Sequence, residues 1–175
     1  MFPTIHTERL TLREITESDA SALFSYFSTD EVTRYYGSSA FQNVEEARTL
    51  IQKFKNGLEE KKVIRWGIER KEEKGLIGTI GYHALAPLHK RAEVGYEIHP
   101  DYWRNGFASE ALRAVISYGF EELELIRIGA VVYLENDASN QMLQKMGFES
   151  EGILRKYMYQ NGKFYDTHIY SLLKE

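Results

Sequence analysis

The sequence predicts a mixed α/β fold, an α+β arrangement with a central mixed sheet of about seven strands and about four helices, in one domain spanning residues 1–175. Three observations lead to this fold class. Several short segments alternate apolar and polar residues, or run apolar between turn residues, which is typical of strands. Longer segments carry apolar residues at helical spacing along one stripe. Late in the chain a strand, a helix and a strand follow one another, which predicts a right-handed crossover between parallel strands.

The first elements are a strand and two helices. Residues 9–13 alternate between polar and apolar side chains and predict a strand. Thr16 is placed to cap a first helix with an apolar stripe. Asn43, with Glu46 three residues later, has the pattern of a capping box and therefore predicts the start of a second helix.

Three strands follow, and the first two are expected to form a hairpin. Residues 63–69 and 76–86 predict strands, and the polar segment 72–75 between them predicts the hairpin turn. Residues 87–91 form a further turn, which leads into a third strand at residues 92–99.

The next elements form the crossover and a short helix after it. Residues 108–120 carry a single apolar stripe and predict an amphipathic helix, and residues 128–134 predict a buried strand. A short helix follows, with either Asn136 or Asp137 at its N-cap. Gly147 is a natural residue to end that helix, because glycine readily adopts a left-handed conformation.

A second hairpin closes the predicted sheet. The strands are residues 152–160 and 164–172, and Asn161-Gly162 between them is the preferred pair for a tight two-residue turn.

Composition narrows the class of protein. The net charge is −4, the pI is about 5.8 and the basic residues are scattered, so we expect no nucleic-acid partner. No apolar run is long enough to cross a membrane and the N-terminus lacks a signal-peptide core, so we expect no membrane partner. The chain has no cysteine, which excludes disulfides and thiolate chemistry and fits a cytoplasmic location. The five histidines show no metal-ligand spacing, so no metal is expected.

Residues 101–112 are the most informative segment. They predict the end of a strand, a turn and the start of an amphipathic helix, which together direct backbone N–H groups toward one point and suit a phosphate. Gly106 allows close backbone approach, and Arg104 and Asn105 offer side-chain donors there. The alternative is an ordinary glycine turn before a helix. The chain contains neither a P-loop nor a dinucleotide-binding glycine pattern.

Several motifs in order closely resemble the GNAT family of acetyl-CoA-dependent N-acetyltransferases, and within it the RimJ/RimL-like branch, which acetylates N-terminal amino groups of ribosomal proteins. The resemblance covers essentially the whole chain. Trp103 departs from the general family pattern, which has Gln or Arg at that position, but tryptophan is common there in this branch. The segments that carry the resemblance are residues 7–13, 92–100, 102–111, 135–140, 145–148 and 161–166.

The resemblance implies acetyl-CoA as the cosubstrate. Its pantetheine arm is expected between two parallel strands that splay apart, the one ending near His99 and the one at residues 128–134. An alternative for Asn136 is a purely structural N-cap. The expected cofactor-binding residues are Ile98, Trp103, Arg104, Asn105, Gly106, Phe107, Ala108, Ser109, Asn136 and Asn140.

The resemblance also implies the catalytic residues. Glu93 is expected to be the general base, acting directly or through water, because an alkyl ammonium must lose a proton before it attacks. Glu97 shares its strand face, and the alternative for both glutamates is an ordinary solvated strand face. Ser139 is expected to protonate the CoA thiolate; a helix-capping role and Tyr133 as the acid are the alternatives. With no cysteine, direct attack in a ternary complex is the simplest mechanism.

The sequence leaves the amine acceptor open. The branch implies a protein N-terminal amino group, and a polyamine, an amino acid or an aminoglycoside is the alternative. A non-catalytic acyl-CoA-binding module and a phosphate-binding protein of another class are the competing functions. Homodimers are frequent in the family, and the oligomeric state stays open. The aromatic residues expected in or beside an acceptor groove are Tyr35, Tyr36, Trp66, Tyr157, Tyr159 and Tyr165.

Overall fold

A computed structural model describes residues 1–175 and contains eight strands and five α-helices. In chain order they are β1 (Ile5–His6), β2 (Leu10–Glu14), α1 (Ala20–Phe27), α2 (Asp30–Thr33), α3 (Val44–Glu59), β3 (Ile64–Arg70), β4 (Glu73–Ala86), β5 (Arg91–Ile98), α4 (Phe107–Glu121), β6 (Arg127–Tyr133), α5 (Asp137–Lys145), β7 (Glu149–Gln160) and β8 (Lys163–Leu173). The predicted mixed α/β class is confirmed. The sequence missed β1 and α2, which are too short to show a period.

All eight strands form one sheet in the order β1-β2-β3-β4-β5-β6-β8-β7. Every neighbouring pair is antiparallel except β5 and β6, which are parallel as the crossover predicts. Their pairing covers only Arg91 with Arg127 through Glu93 with Gly129, although both strands continue well beyond those residues. The two parallel strands therefore separate toward their carboxyl ends, which confirms the predicted splayed pair.

Helices cover both faces of this sheet. On one face the Tyr82 hydroxyl of β4 donates to the carbonyl of Val115 in α4 at 2.7 Å. On the opposite face the Tyr26 hydroxyl of α1 lies 3.4 Å from the carboxylate of Glu97 in β5. The larger apolar core lies between the sheet and α4 with α5, and a smaller one joins α1, α2 and α3 to the sheet. No helix is both long and apolar enough to span a membrane.

Local sequence signals account for several helix and turn boundaries. The capping box of α3 is present, since Asn43 Oδ1 accepts from the Glu46 N–H at 3.2 Å and Glu46 accepts from the Asn43 N–H at 3.3 Å. Asn136 rather than Asp137 caps α5. Asn161 and Gly162 both have positive φ, as the predicted tight turn between β7 and β8 requires.

The first hairpin turn differs from its prediction. The strands reverse at residues 71–72, and β4 already begins at Glu73, inside the segment 72–75 predicted as the turn. The reason is an irregular register: Ile68 pairs with Gly78, Glu69 with Leu76 and Arg70 with Glu73, so β4 contains three residues more than β3 over this stretch. That irregularity breaks the alternation on which the prediction rested.

The N-cap of α3 gives a test of local stability. We expect Asn43→Ala to lower the free energy of unfolding by about 1 kcal/mol, because it leaves a helix N–H without its acceptor. Chemical denaturation followed by circular dichroism measures this quantity. Asn56→Ala is the matched control, since Asn56 is exposed inside the same helix and alanine is favoured there. An equal loss in both variants would contradict the capping role.

Candidate active site

The separation of β5 from β6 leaves backbone groups without a strand partner. The His99 N–H donates to the carbonyl of Ile77 on the β4 side at 2.7 Å. Because backbone groups alternate in direction along a strand, the N–H groups of Ile98 and Tyr96 point the other way, toward β6. The pairing with β6 has already ended at Glu93, so these donors face the wedge between the strands. An extended amide chain could pair with them as a further strand would.

Trp103 fastens the following loop to this strand. Its indole Nε1 donates to the carbonyl of Ile98 at 2.7 Å, while the side chain remains 41% exposed. The Ile98 carbonyl is therefore engaged within the protein, and the Ile98 N–H is the group that stays available. This contact gives Trp103 a structural role at the end of β5.

The loop before α4 forms a cradle of backbone donors. Arg104 and Gly106 both adopt left-handed conformations, with φ of 60° and 78°. The first bond inside α4 runs from the Glu110 N–H to the Gly106 carbonyl at 3.0 Å. The N–H groups of residues 107–109 therefore precede the helical ladder and are open to an anion at the positive end of the helix. Phe107 is buried, and Ala108 and Ser109 are half-buried.

Arg9, on the segment leading into β2, holds this loop in place. Its Nη1 donates to the Asn105 carbonyl at 2.8 Å, and its Nε donates to the carboxylate of Glu110 at 2.7 Å. The guanidinium also lies 4.5 Å from the centre of the Phe107 ring. Burial opposes ionisation of Glu110, but hydrogen bonds from Thr7 and Arg9 hold the pKa of that carboxyl below its usual range. The residue types alone did not reveal this clamp, because its partners lie far apart in the chain.

Ser139 and Tyr96 lie together on the α4–α5 side of the wedge. The Tyr96 hydroxyl is buried and makes no hydrogen bond of normal length. Burial raises the pKa of Tyr96 to about 12, and the nearby Ser139 hydroxyl opposes that rise. Ser139 itself is half-buried in the first turn of α5. The Ser139 hydroxyl, which can donate a proton, therefore lies beside β5, the strand whose N–H groups face the wedge.

The two asparagines of α5 have structural contacts. Asn136 Oδ1 accepts from the Ser139 N–H at 3.4 Å, which is the N-cap alternative. Asn140 Nδ2 donates to the carbonyls of Tyr133 and Leu134 at 3.2 and 3.3 Å, and Asn140 Oδ1 accepts from the Tyr170 hydroxyl at 2.8 Å. The Asn140 amide is thus engaged inside the protein, where it holds the end of β6 to α5.

Glu93 lies on the opposite face of the sheet, beside its partner Gly129 at the closed end of the wedge. His83 on β4 stands next to it, with its Nε2 3.2 Å from Glu93 Oε2. The hydrogen bond from His83 holds the pKa of Glu93 below its usual range. The imidazole also borders Gly95, since a Cβ there would lie 3.4 Å from His83 Cε1. Sequence reasoning missed His83, whose only signal is its place opposite Glu93 in the hairpin register.

Glu97 is not a solvated strand residue, so that expectation was wrong. Its side chain is buried and accepts hydrogen bonds from Arg65, Thr79 and Tyr26. Burial raises the pKa of Glu97, against the opposing influence of Arg65. All of its polar contacts are internal, which leaves Glu93 as the carboxylate of this strand that faces the wedge.

A cluster of tyrosines lies on the same face as Glu93, farther along β6. Tyr133 stacks on Tyr165 of β8 with ring centres 5.1 Å apart, and Tyr35 meets Tyr133 edge to face at 6.0 Å. Gln160 joins the walls of this cluster: its Nε2 donates to the Ser38 carbonyl at 2.6 Å and its Oε1 accepts from the Tyr133 hydroxyl at 2.9 Å. The segment after α2 is therefore fixed to the β7–β8 hairpin.

The other aromatic residues predicted beside the acceptor groove differ in their exposure. Tyr157 and Tyr159 are exposed on the β7–β8 hairpin. Tyr36 packs edge to face on Phe27, and burial raises the pKa of its hydroxyl to about 12. Trp66 is wholly buried and donates from Nε1 to the Pro3 carbonyl at 2.8 Å. Trp66 is therefore a core residue, and its predicted place beside a groove was wrong, because aromatic residues in central strands pack into the core.

The wedge between the two parallel strands and the anion cradle before α4 together define the class of protein. It is an acyl-CoA-dependent transferase. A family model described as an acetyltransferase (GNAT) domain matches residues 9–149. The chain is 60% identical over 174 residues to the uncharacterized N-acetyltransferase YoaA of Bacillus subtilis, which covers 99% of this chain and 98% of the relative. This chain belongs to the GNAT acetyltransferase family. It is an acyl-CoA-dependent N-acetyltransferase with acetyl-CoA as its cosubstrate.

Other relatives are similar to this chain in sequence, and solved structures share its fold. The chain is 33% identical over 100 residues to the ribosomal-protein-serine acetyltransferase of Escherichia coli, covering 57% of this chain and 56% of the relative. A crystal structure of a GNAT-family acetyltransferase from Bacillus anthracis superposes with a TM-score of 0.86 at 29% identity, covering 98% of both chains. The ribosomal L7/L12 acetyltransferase RimL, solved with coenzyme A, shares the fold with a TM-score of 0.85 at 21% identity and 98% coverage of both.

The loop before α4 gives a test of cofactor binding. We expect Gly106→Val to raise the dissociation constant of acetyl-CoA at least about tenfold, because a β-branched residue resists positive φ and would displace the N–H cradle. A Cβ at this position would also lie 3.3 Å from Arg9 Nη2. Isothermal titration calorimetry measures the affinity.

Gly162→Val is the matched control for that variant. Gly162 has the same φ of 78°, but it lies in the β7–β8 turn, where a Cβ would have no neighbouring atom within 4 Å. The backbone strain is therefore similar while the loop before α4 is untouched. Equal acetyl-CoA affinity in wild type and Gly106→Val would remove this loop from the binding site.

Proposed function

We propose that this protein acetylates the N-terminal amino group of a protein, of the ribosomal-protein kind, by direct attack in a ternary complex. The observation that carries the proposal is the geometry of the wedge. It opens on one face toward Ser139 and on the other toward Glu93 and the tyrosine cluster. A cofactor and an acceptor can therefore approach the same point from opposite sides, which is the arrangement that direct transfer needs.

The N–H groups along β5 suit the cofactor. When bound, acetyl-CoA supplies an activated thioester carbonyl, to which the amine forms a C–N bond as the C–S bond breaks. The Tyr96 N–H is placed to donate to the carbonyl oxygen, where negative charge develops. The cradle at residues 104–109 would hold the pyrophosphate. Ser139 donates a proton to the departing sulfur, and the Tyr96 hydroxyl lies beside Ser139.

Glu93 and His83 serve the amine. An ammonium must lose a proton before its nitrogen can attack, and the proton passes to this pair directly or through water. His83 lowers the pKa of Glu93, so the carboxylate stays charged and orients the imidazole and the incoming cation. Imidazole is the side chain most often used as a general base near neutral pH. We assign the pair, rather than Glu93 alone, to proton removal.

The chemistry of the acceptor face favours a polypeptide. The hydroxyls of Ser38 and Thr167 are buried there without a hydrogen-bond partner, and a peptide backbone offers both donors and acceptors. The hairpin beside this face exposes Tyr157, Tyr159 and Phe164, each more than half exposed. Clustered exposed aromatic residues are typical of protein-binding surfaces. The named activity of the Escherichia coli relative supports the same class of acceptor.

Release of free thiol from acetyl-CoA tests the proposal. We expect turnover with peptides that begin with Ser, Ala or Thr, and much weaker turnover with spermidine, free amino acids and aminoglycosides. A kcat/KM highest for a small amine would reassign the acceptor to that class. Thermal stabilisation by acetyl-CoA without turnover on any acceptor would instead indicate a non-catalytic acyl-CoA-binding module.

Glu93→Gln tests the role of the carboxylate. We expect kcat to fall on the order of 10²-fold, as is usual for general-base removal, while the dissociation constant of acetyl-CoA changes little. Glu69→Gln is the matched control: burial opposes ionisation there too, but Arg13 holds the pKa of that strand carboxylate low, and Glu69 lies away from the wedge. Wild-type kcat in the Glu93 variant, or an equal loss in both, would remove Glu93 from the chemistry.

A further inference from the structure

Arg65 connects three strands beneath the acceptor face. It starts on β3 and is buried, with only 8% of the residue exposed. Its Nε donates to Thr79 Oγ1 of β4 at 2.8 Å, its Nη1 donates to the carbonyl of Gly95 in β5 at 2.8 Å, and its Nη2 pairs with Glu97. In the register Arg65 is opposite Gly81, which is opposite Gly95, so the side chain crosses β4 where no side chain obstructs it.

The Gly95 carbonyl belongs to the same peptide unit as the Tyr96 N–H. In a trans peptide the C=O and the N–H point in opposite directions. The carbonyl points toward β4, where Arg65 reaches it, and the N–H therefore points into the wedge. A cation that hydrogen-bonds to the oxygen draws electron density from the peptide and makes its N–H a stronger donor, as in chains of cooperative hydrogen bonds.

We propose that Arg65 is a positioning residue that orients and polarises the Gly95–Tyr96 peptide as the oxyanion donor of the acetyl-transfer reaction. The inference rests on the proposed role of the Tyr96 N–H in the preceding section. Arg65 does not touch either substrate. It acts through one backbone carbonyl, and its guanidinium cannot turn away because both of its other arms are engaged.

Glu97 allows the Arg65 guanidinium to be buried without replacing its contact with the Gly95 carbonyl. A buried guanidinium needs a counterion, because an unpaired buried charge is strongly unfavourable. The Glu97 carboxylate meets Nη2, on a different arm from the one that binds Gly95, and it also accepts from Thr79 and Tyr26. The cation therefore remains the group in contact with the Gly95 oxygen. Lysine could balance the charge but not bind all three partners at fixed angles.

The test replaces the ion pair with apolar side chains. Arg65→Met combined with Glu97→Leu removes the bond to Gly95, and such replacements of buried ion pairs usually leave a protein folded. Arg13→Met with Glu69→Leu and Asp19→Asn is the control, because Arg13 joins Glu69 and Asp19 in another cross-strand ion cluster that does not reach β5, and Asp19→Asn removes the charge while keeping an acceptor for the Thr16 N–H. Arg65→Lys is a second variant that keeps a buried cation beside Glu97 and so preserves the fold.

Two readouts separate polarisation from support of the fold. The first is the C=O stretching frequency of bound acetyl-CoA labelled with ¹³C at the acetyl carbonyl, since a stronger hydrogen bond lowers that frequency. The second is kcat beside the acetyl-CoA dissociation constant. In both Arg65 variants we expect a higher stretching frequency and a kcat lowered about tenfold, less than the 10²- to 10³-fold typical of removing an oxyanion donor outright. Acetyl-CoA affinity should change little, and the control should match wild type.

Several outcomes would overturn the inference. One is an unchanged carbonyl frequency in both Arg65 variants, whatever happens to kcat. Another is an equal change in the Arg13 control, which would indicate general loss of sheet rigidity. If wild type bound acetyl-CoA and turned over peptide but showed no frequency shift from free acetyl-CoA, the proposed function would stand and this inference would fail. If wild type neither bound nor turned over acetyl-CoA, both would fail together.

Discussion

The early end of the pairing between β5 and β6 is the constraint on which the rest of the site depends. In a sheet, unpaired backbone groups in the interior are costly, so strands normally remain paired along their length. Here the pairing stops at Glu93 with Gly129, and the donors of the following residues are exposed to the wedge. The wedge therefore presents a row of backbone donors with which an extended, amide-bearing ligand could pair. Tyr96 and Ser139 lie on one face of the sheet beside it, and Glu93 and His83 lie on the other.

Two braces keep the wedge open and its walls in place. On the β6 side, Asn140 holds the strand end to α5 and to Tyr170. Beyond β5, Arg9 fixes the anion cradle to Glu110 and to the loop carbonyl of Asn105. Each brace uses side chains that a ligand would not need to move. The site is therefore largely formed before any ligand arrives, which lowers the entropy lost on binding and holds reacting groups at fixed distances.

The sequence predicted what depends on local signals and missed what depends on distant partners. The caps at Asn43 and Asn136, the turn at residues 161–162 and the parallel crossover follow from neighbouring residues, and the structure has them. Family motifs located the loop before α4. His83 and Arg9 have no local signature, because each acquires its role from a residue brought beside it by sheet register or by helix docking. The predictions for Trp66 and Glu97 were wrong for a different reason. Both side chains were expected to be accessible, but a strand pattern does not tell which face of a central strand is covered by helices.

The two glutamates of β5 show how the fold separates an accessible carboxylate from an enclosed one. They share a strand face, yet their environments move their pKa values in opposite directions: His83 lowers the pKa of Glu93 and burial raises that of Glu97. Such divergence marks different roles for chemically identical groups. Glu97 is enclosed with Arg65 and has no access to an acceptor. Glu93, whose pKa is lowered, lies beside the His83 imidazole at the closed end of the wedge. The same guanidinium that pairs with Glu97 also binds the Gly95 carbonyl, so the enclosed carboxylate fixes the cation that contacts the Gly95–Tyr96 peptide.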